Sequence, residues 1–134
     1  MKLRAVAATV AALIASPALA DPCEAPLPKP GATFSGPVTY IVDGDGLCVG
    51  EAQGGIEVRL GDFNAPELNG PGGAEAKAAL RRIAFGKSVT CTPCEGARNP
   101  NKCVSYDRVI ATCRLNGKRL GDLMRAAGIQ EGGH

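Results

Sequence analysis

The stretch IEVRLGDFNAPEL, residues 56–68, decides how the middle of the chain folds. Its first five residues alternate apolar and polar side chains, which predicts a β-strand over residues 56–60 with one buried face. The strand then runs into a tight corner that ends at Pro66 and Glu67. Arg59 comes before the corner and Glu67 comes after it, so a cation and a carboxylate flank a single turn.

The residues before this stretch predict two more strands. FSGPVTYIVDGDGLCVGE, residues 34–51, contains a β-rich run, a turn of glycines and aspartates, and a second short run. Another glycine-rich turn separates it from residues 56–60. These residues therefore predict a three-stranded meander.

The residues after the corner predict helices and further strands. Residues 74–85 are good helix formers whose apolar side chains share one face, and Gly86 supplies the C-terminal stop. Residues 87–91 and 109–115 read as a fourth and a fifth strand, and residues 120–128 as a short helix. The order β-β-β-α-β-β-α, with short strands and glycine turns, suits a small closed barrel, because closure removes exposed strand edges.

The first twenty residues, MKLRAVAATVAALIASPALA, have the features of a secretory signal peptide. Two basic residues precede a short apolar run, and a small-residue cleavage site follows it. We therefore expect export to the periplasm or the extracellular space. The apolar run is too short to span a bilayer, so we expect no membrane anchor. We expect residues 21–35 to form an extended N-terminal arm and residues 36–134 to form one domain.

The charges are distributed unevenly along the chain. Without residues 1–20 the chain has equal numbers of basic and acidic side chains, which argues against nucleic-acid binding by bulk charge alone. Residues 21–76 hold two basic and nine acidic side chains, whereas residues 77–125 hold eleven basic and three acidic ones. This polarity suits a site where a cation and a polyanion meet, and an idle polarised surface is the alternative.

The cysteine count predicts disulfides. The chain has six cysteines, namely Cys23, Cys48, Cys91, Cys94, Cys103 and Cys113. In a small exported chain they read as three bridges, with fifteen possible connectivities. Cys91 and Cys113 end antiparallel strands, which favours a Cys91–Cys113 bridge. A Cys94–Cys103 bridge would then close the loop before Arg108, and this leaves Cys23–Cys48 to fix the N-terminal arm. A zinc site and a redox-active Cys-x-x-Cys motif are the alternatives.

The turn Asp43-Gly44-Asp45-Gly46 is the first candidate for chemistry. It places two carboxylates two residues apart, and hard cations such as calcium prefer several oxygen ligands. The pattern lacks the remaining ligands of an EF-hand. The simpler interpretation is a hairpin turn, which Asp-Gly sequences favour.

Arg59, Glu67 and Arg108 form the second candidate. Cleavage of a phosphodiester needs a group that positions or deprotonates water, and it needs positive charge where negative charge develops. A carboxylate suits the first role. Arginine suits the second, because its planar guanidinium donates two hydrogen bonds to phosphate oxygens. Each residue alone is more typical of a surface charge.

Four motifs, taken together, make the chain similar to a known protein family. They are VDGDGLCV, VRLGDFNAPEL, SYDRVIATC and NGKRLGDLMRAAGI. In this order and spacing, the region from Gly36 to Ile129 resembles the staphylococcal nuclease-like (thermonuclease) family. The resemblance implies a five-stranded OB-type barrel with helices packed on it. It also implies a calcium-dependent endonuclease that hydrolyses DNA and RNA with little sequence preference.

The resemblance also implies roles for individual residues. Arg59 and Arg108 would bind the phosphate under attack, and Glu67 would be the general base or the carboxylate that orients water. The implied partners are DNA or RNA as substrate, and we expect a monomer.

The implied calcium site uses Asp45, Asn64 and the backbone carbonyl of Ala65, and Asp43 would support the turn. Asn64 stands where the family has an aspartate, so the site loses one negative charge. Asp107 replaces a glycine beside Arg108 and could compete for it. The alternative is therefore a weakened or inactive nuclease-like OB-fold module that binds nucleic acid or protein.

Overall fold

The computed structural model describes residues 21–95, 97–98 and 103–132. The predicted signal peptide, residues 1–20, lies outside the described residues. The elements, in chain order, are β1 (Phe34–Asp43), β2 (Gly46–Val49), a 3-10 turn (Ala52–Gly54), β3 (Ile56–Leu60), α1 (Gly73–Ala84), β4 (Ser88–Pro93), β5 (Val104–Ser105), β6 (Arg108–Leu115), β7 (Lys118–Arg119) and α2 (Leu120–Ala126).

Five of the strands close into a mixed barrel. Neighbouring strands follow the order β3-β2-β1-β4-β6, and β6 pairs back onto β3 in parallel. The other four pairings in this ring are antiparallel. The predicted fold class, a five-stranded OB-type barrel with two helices, is confirmed. The two-residue strands β5 and β7 extend the sheet beside β6 and were not expected.

The core fills the barrel and the space beneath α1. Alternation along β3 buries Val58 and Leu60, and the apolar face of α1 buries Ala76, Leu80 and Ala84. Leu120 and Met124 on α2 join the same cluster. Arg81 and Arg82 of α1 are exposed. In the part of the chain that the structure describes, neither helix is long and apolar enough to cross a membrane.

Three disulfides cross-link the described residues, and their pairings are the expected ones. Cys91–Cys113 joins β4 to β6 inside the core, and Cys94–Cys103 closes the loop that follows β4. Cys23–Cys48 ties the N-terminal arm to β2. The arm also donates backbone hydrogen bonds to the segment before β3, from the N–H of Glu24 to the carbonyl of Gln53 at 2.9 Å and from the N–H of Ala25 to the carbonyl of Gly55 at 3.1 Å.

Gly44 lies where the β1–β2 turn packs against the helix. A Cβ atom at this position would lie 2.6 Å from the Cβ of Ala76 and 2.7 Å from the Cβ of Ala65. Both neighbours are buried, so they have little room to move. We expect Gly44→Ala to lower the free energy of unfolding by roughly 1–3 kcal/mol through overpacking.

Urea unfolding measures this effect. Gly70→Ala is the matched control, because a Cβ there would meet its nearest neighbour at an ordinary 3.5 Å. Equal losses of stability in the two variants would show that the contact with α1 is not tight.

Candidate active site

The predicted site residues meet where three parts of the barrel converge. A polar pocket of about 170 Å³ lies between the β1–β2 turn, the end of β3 and the start of β6. Its lining residues are Asp43, Asp45, Arg59, Ala65, Pro66, Glu67 and Arg108. All the predicted catalytic residues and all the predicted cation-site residues except Asn64 therefore share one pocket.

Strand pairing explains how residues so far apart in sequence meet. Gly46 pairs with Arg59 across β2 and β3, and the N–H of Leu60 donates to the carbonyl of Asp45 at 2.8 Å. The parallel pairing of β3 with β6 then brings Arg108 alongside. This last contact depends on barrel closure.

Asp45 is the most constrained acid of the pocket. It is 6% exposed, and its Oδ2 accepts a 2.8 Å hydrogen bond from the N–H of Ala65. Its own N–H donates to Oδ1 of Asp43 at 3.1 Å, so Asp43 holds the turn. Burial raises the pKa of Asp45 to about 6, although the nearby Arg59 partly opposes this rise.

Arg59 is held in a fixed orientation. Its Nη1 donates to the backbone carbonyls of Leu60 and Phe63, the latter at 2.9 Å. Its Nη2 donates to Oδ1 of Asn64 at 2.9 Å and lies 3.4 Å from Oδ2 of Asp45. The plane of the guanidinium is therefore fixed before any substrate binds. The side chain of Arg59 nevertheless remains 24% exposed.

Asn64 does not line the polar pocket. Its amide oxygen accepts the hydrogen bond from Arg59, and its amide nitrogen donates to the carbonyl of Gly132 at 3.4 Å. Asn64 lines instead an adjoining cavity of about 570 Å³, which also includes Arg98 and Arg108. The family resemblance implied a cation ligand at this position, whereas in the structure the amide oxygen of Asn64 faces the guanidinium of Arg59.

Arg108 reaches both cavities from the first residue of β6. Its Nη2 donates to Oγ of Ser105 at 3.2 Å, and its guanidinium lies 6.0 Å from the ring centroid of Tyr106. The salt bridges among the described residues include no pair between Arg108 and Asp107. Tyr106, at φ 62°, is the turn residue with positive φ, so the position of Asp107 does not require glycine.

Glu67 is exposed at the edge of the pocket. It follows Pro66 at the end of the corner, and its backbone carbonyl accepts the N–H of Gly70 at 2.9 Å. This turn fixes the backbone while the carboxylate stays accessible to solvent. The exposed position suits a group that has to exchange protons with water.

The residues that line the pocket offer oxygen donors of the kind that hard cations bind. Asp43, Asp45 and Glu67 supply carboxylates, and Ala65 supplies a backbone carbonyl. Such donors suit calcium or magnesium. Within the described residues, the one cluster of acidic or cysteine side chains at metal-binding distance is Asp21, Cys23 and Cys48, so the carboxylates of Asp43, Asp45 and Glu67 do not all lie that close together. Its two cysteines form a disulfide, so it is not a thiolate site.

Asp62 supports the corner and was missed by the sequence analysis. Its Oδ2 accepts the N–H of Gly121 at 3.1 Å in the first turn of α2, and its carbonyl accepts a hydrogen bond from Arg125. Burial raises the pKa of Asp62. These contacts join α2 to the corner, and no local pattern connects residues 59 positions apart.

Glu57 is a second buried acid that the sequence analysis did not single out. It lies on β3 two residues before Arg59 and is 6% exposed. Burial, reinforced by the carboxylate of Asp21, raises the pKa of Glu57 to about 7 from an ordinary value of 4.5. An acid whose pKa is raised by folding costs stability when it ionises, so the fold loses stability as the pH rises from about 4.5 through about 7.

We therefore expect Glu57→Gln to stabilise the protein at pH 8 and to have little effect at pH 4. Urea midpoints at the two pH values measure the difference, and the exposed Glu51→Gln is the control. A gain of the same size at both pH values would show that ionisation of Glu57 is not its cause.

The fold and the pocket together define an OB-type barrel whose polar corner combines two arginines with carboxylates. A micrococcal nuclease from Shigella flexneri is 37% identical to this chain over 90 residues. The match covers 67% of this chain and 45% of that nuclease, so the chain spans about half the length of this curated relative. No protein-family model matches the chain. The barrel and this relationship confirm the resemblance to the staphylococcal nuclease-like family.

Proposed function

We propose that this protein is a nuclease that hydrolyses phosphodiester bonds of DNA or RNA with little sequence preference. The observation that carries the proposal is the single pocket that holds Arg59, Glu67 and Arg108 beside the buried Asp45. It unites a solvent-accessible carboxylate with two guanidinium groups, and this combination suits phosphodiester hydrolysis. The kinship with a micrococcal nuclease supports the same reaction.

The two arginines would hold the phosphate. The guanidinium of Arg59 is fixed by backbone carbonyls, and that of Arg108 is fixed by Ser105. Groups held in this way need little reorganisation when extra negative charge develops on the phosphate oxygens. Arg108 keeps the two N–H groups of its Nη1 for those oxygens, because Ser105 engages only its Nε and Nη2. Arg59 keeps its Nε–H, because its Nη1 and Nη2 already face Leu60, Phe63, Asn64 and Asp45.

Glu67 would orient the attacking water and accept its proton. The water would attack phosphorus opposite the leaving oxygen, and the P–O bond to that oxygen would break. The leaving oxygen would then take up a proton from solvent. The exposure of Glu67 lets its carboxylate pass the accepted proton to bulk water and return to its starting state.

Calcium is the cation that we propose for the pocket. Asp45 and the carbonyl of Ala65 would hold it, with Asp43 supporting the turn. Asn64, which the family resemblance implied as a further ligand, would have to turn its oxygen away from Arg59 to contribute. A cation bound here would neutralise charge on the phosphate and assist the ionisation of water.

We further propose that the protein acts outside the cytoplasm. The features of residues 1–20 support export, and three disulfides suit an oxidising compartment. Nucleic acid outside the cytoplasm would then be its substrate.

A cleavage assay beside a binding assay tests this function. Mixed-sequence single-stranded DNA and RNA would be incubated with the disulfide-intact protein and calcium, and products would be separated on a gel. We expect fragments of many lengths. Binding in a mobility-shift assay without cleavage would instead support a binding module, for which the 92% exposed Tyr106 beside Arg108 offers a stacking surface.

A further inference from the structure

Both ends of the Asn64 side chain are engaged, and this fixes which way the amide points. Arg59 can only donate hydrogen bonds, so the atom that faces its Nη2 at 2.9 Å must be the amide oxygen. The carbonyl of Gly132 can only accept, so the atom that faces it at 3.4 Å must be the amide nitrogen. The two neighbours together define a single orientation of the amide.

The C-terminal residues 129–132, which we call the strap, also pair with the backbone of Asn64. The N–H of Asn64 donates to Oε1 of Glu131 at 2.7 Å, and the N–H of Gly132 donates to the carbonyl of Asn64 at 2.8 Å. Arg125 on α2 donates to the other carboxylate oxygen of Glu131 at 3.4 Å. The strap is therefore anchored to α2 on one side and to the corner on the other.

Gly132 allows the strap to approach the corner closely. A Cβ atom on Gly132 would lie 2.9 Å from the Cα of Pro66 and 3.1 Å from the carbonyl oxygen of Ala65. Both are backbone atoms, which cannot move aside as a flexible side chain can. A larger residue at position 132 would push the strap away from Asn64.

We propose that Asn64 is a positioning residue for Arg59 and that the strap holds Asn64 in place. The inference rests on the proposed function, in which Arg59 binds the phosphate. An aspartate at position 64 could accept from Arg59, but it could not donate to the carbonyl of Gly132. The asparagine makes both contacts at once, so it couples the strap to the orientation of Arg59.

The proposal separates two roles that a residue at this position could have. A cation ligand changes the calcium concentration needed for half-maximal rate. A residue that orients Arg59 changes the rate at saturating calcium and leaves the calcium requirement unaltered. Loss of a hydrogen bond to a charged group lowers a rate by roughly tenfold or more.

The first test measures the rate of single-stranded DNA cleavage against calcium concentration. We expect Asn64→Ala to lower the rate at saturating calcium roughly tenfold with an unchanged half-saturating calcium concentration. Asn69→Ala, at an exposed asparagine of the neighbouring turn, is the control. A raised half-saturating concentration with an unchanged maximal rate would identify Asn64 as a cation ligand and overturn the proposal.

The second test does not depend on activity. In protein with ¹⁵N-labelled arginine, the exchange of the Arg59 Nη protons with water reports how firmly the guanidinium is held. We expect faster exchange in Asn64→Ala and in Gly132→Ala, and slow exchange in wild type and in Asn64→Asp, which keeps an oxygen acceptor for Arg59. Wild-type exchange in Asn64→Ala would overturn the role of Asn64, and wild-type exchange in Gly132→Ala would overturn the role of the strap.

The two tests distinguish the failure of this inference from the failure of the proposed function. A wild-type protein that cleaves nothing would contradict the nuclease proposal, while the exchange of the Arg59 protons would still decide whether Asn64 and the strap hold that side chain.

Discussion

Glu67→Gln is expected to lower the rate of phosphodiester cleavage by roughly 10²–10⁴-fold, the range typical of a lost general base. Glutamine has nearly the same shape as glutamate, but its amide cannot accept a proton from water at neutral pH. Glu67 is exposed at the edge of the pocket, so the substitution creates neither a cavity nor a buried unpaired group. Thermal unfolding should therefore show a nearly unchanged midpoint.

The initial rate on single-stranded DNA at saturating calcium measures the effect. Glu75→Gln is the matched control, because Glu75 is also an exposed glutamate but lies in the first turn of α1, outside the polar pocket. A Glu67→Gln protein that cleaves at the rate of Glu75→Gln would remove Glu67 from the mechanism.

Replacing Cys91 and Cys113 together by alanine is expected to lower the free energy of unfolding by about 3 kcal/mol. The bridge spans 22 residues of sequence, and it joins β4 to β6, so its loss frees the unfolded chain and removes packing from the core. Both cysteines are completely buried. For a domain of this size the melting temperature should fall by roughly 10–20 °C.

The Cys94→Ala, Cys103→Ala double variant is the comparison. That bridge closes a shorter loop with a sequence separation of 9, and its cysteines are only half-buried. We expect a smaller loss, because the loop-closure term is smaller and less packing is removed. Calorimetry under non-reducing conditions measures both. A larger loss for the loop bridge would contradict this ranking by loop length and by packing in the core.

The local elements of the fold could be predicted because their signals lie within short stretches. Alternation in IEVRL predicted β3 to the residue, and the apolar face of residues 74–85 together with Gly86 predicted α1. The helix begins at Gly73, one residue before the predicted start. The two-residue strands β5 and β7 are too short to produce a period of their own.

The arrangement of the site could be predicted only in part. The corner motif indicated which residues would gather, and they do so in one pocket. The orientation of Asn64 could not be predicted, because it depends on Gly132, 68 residues away. The contact between Asp62 and Gly121 and the burial of Glu57 beside Asp21 could not be predicted either, because each joins residues far apart in the sequence.

The calcium dependence of cleavage tests the central claim, that one pocket holds both the cation and the reacting phosphate. The rate of single-stranded DNA cleavage would be measured from chelator to millimolar calcium for wild type and for Asp45→Asn. We predict no cleavage in chelator, saturable cleavage by wild type, and a half-saturating calcium concentration raised roughly tenfold or more in Asp45→Asn, since affinity follows the charge of the ligands. Cleavage that persists in chelator, or a calcium requirement unaltered in Asp45→Asn, would contradict the account.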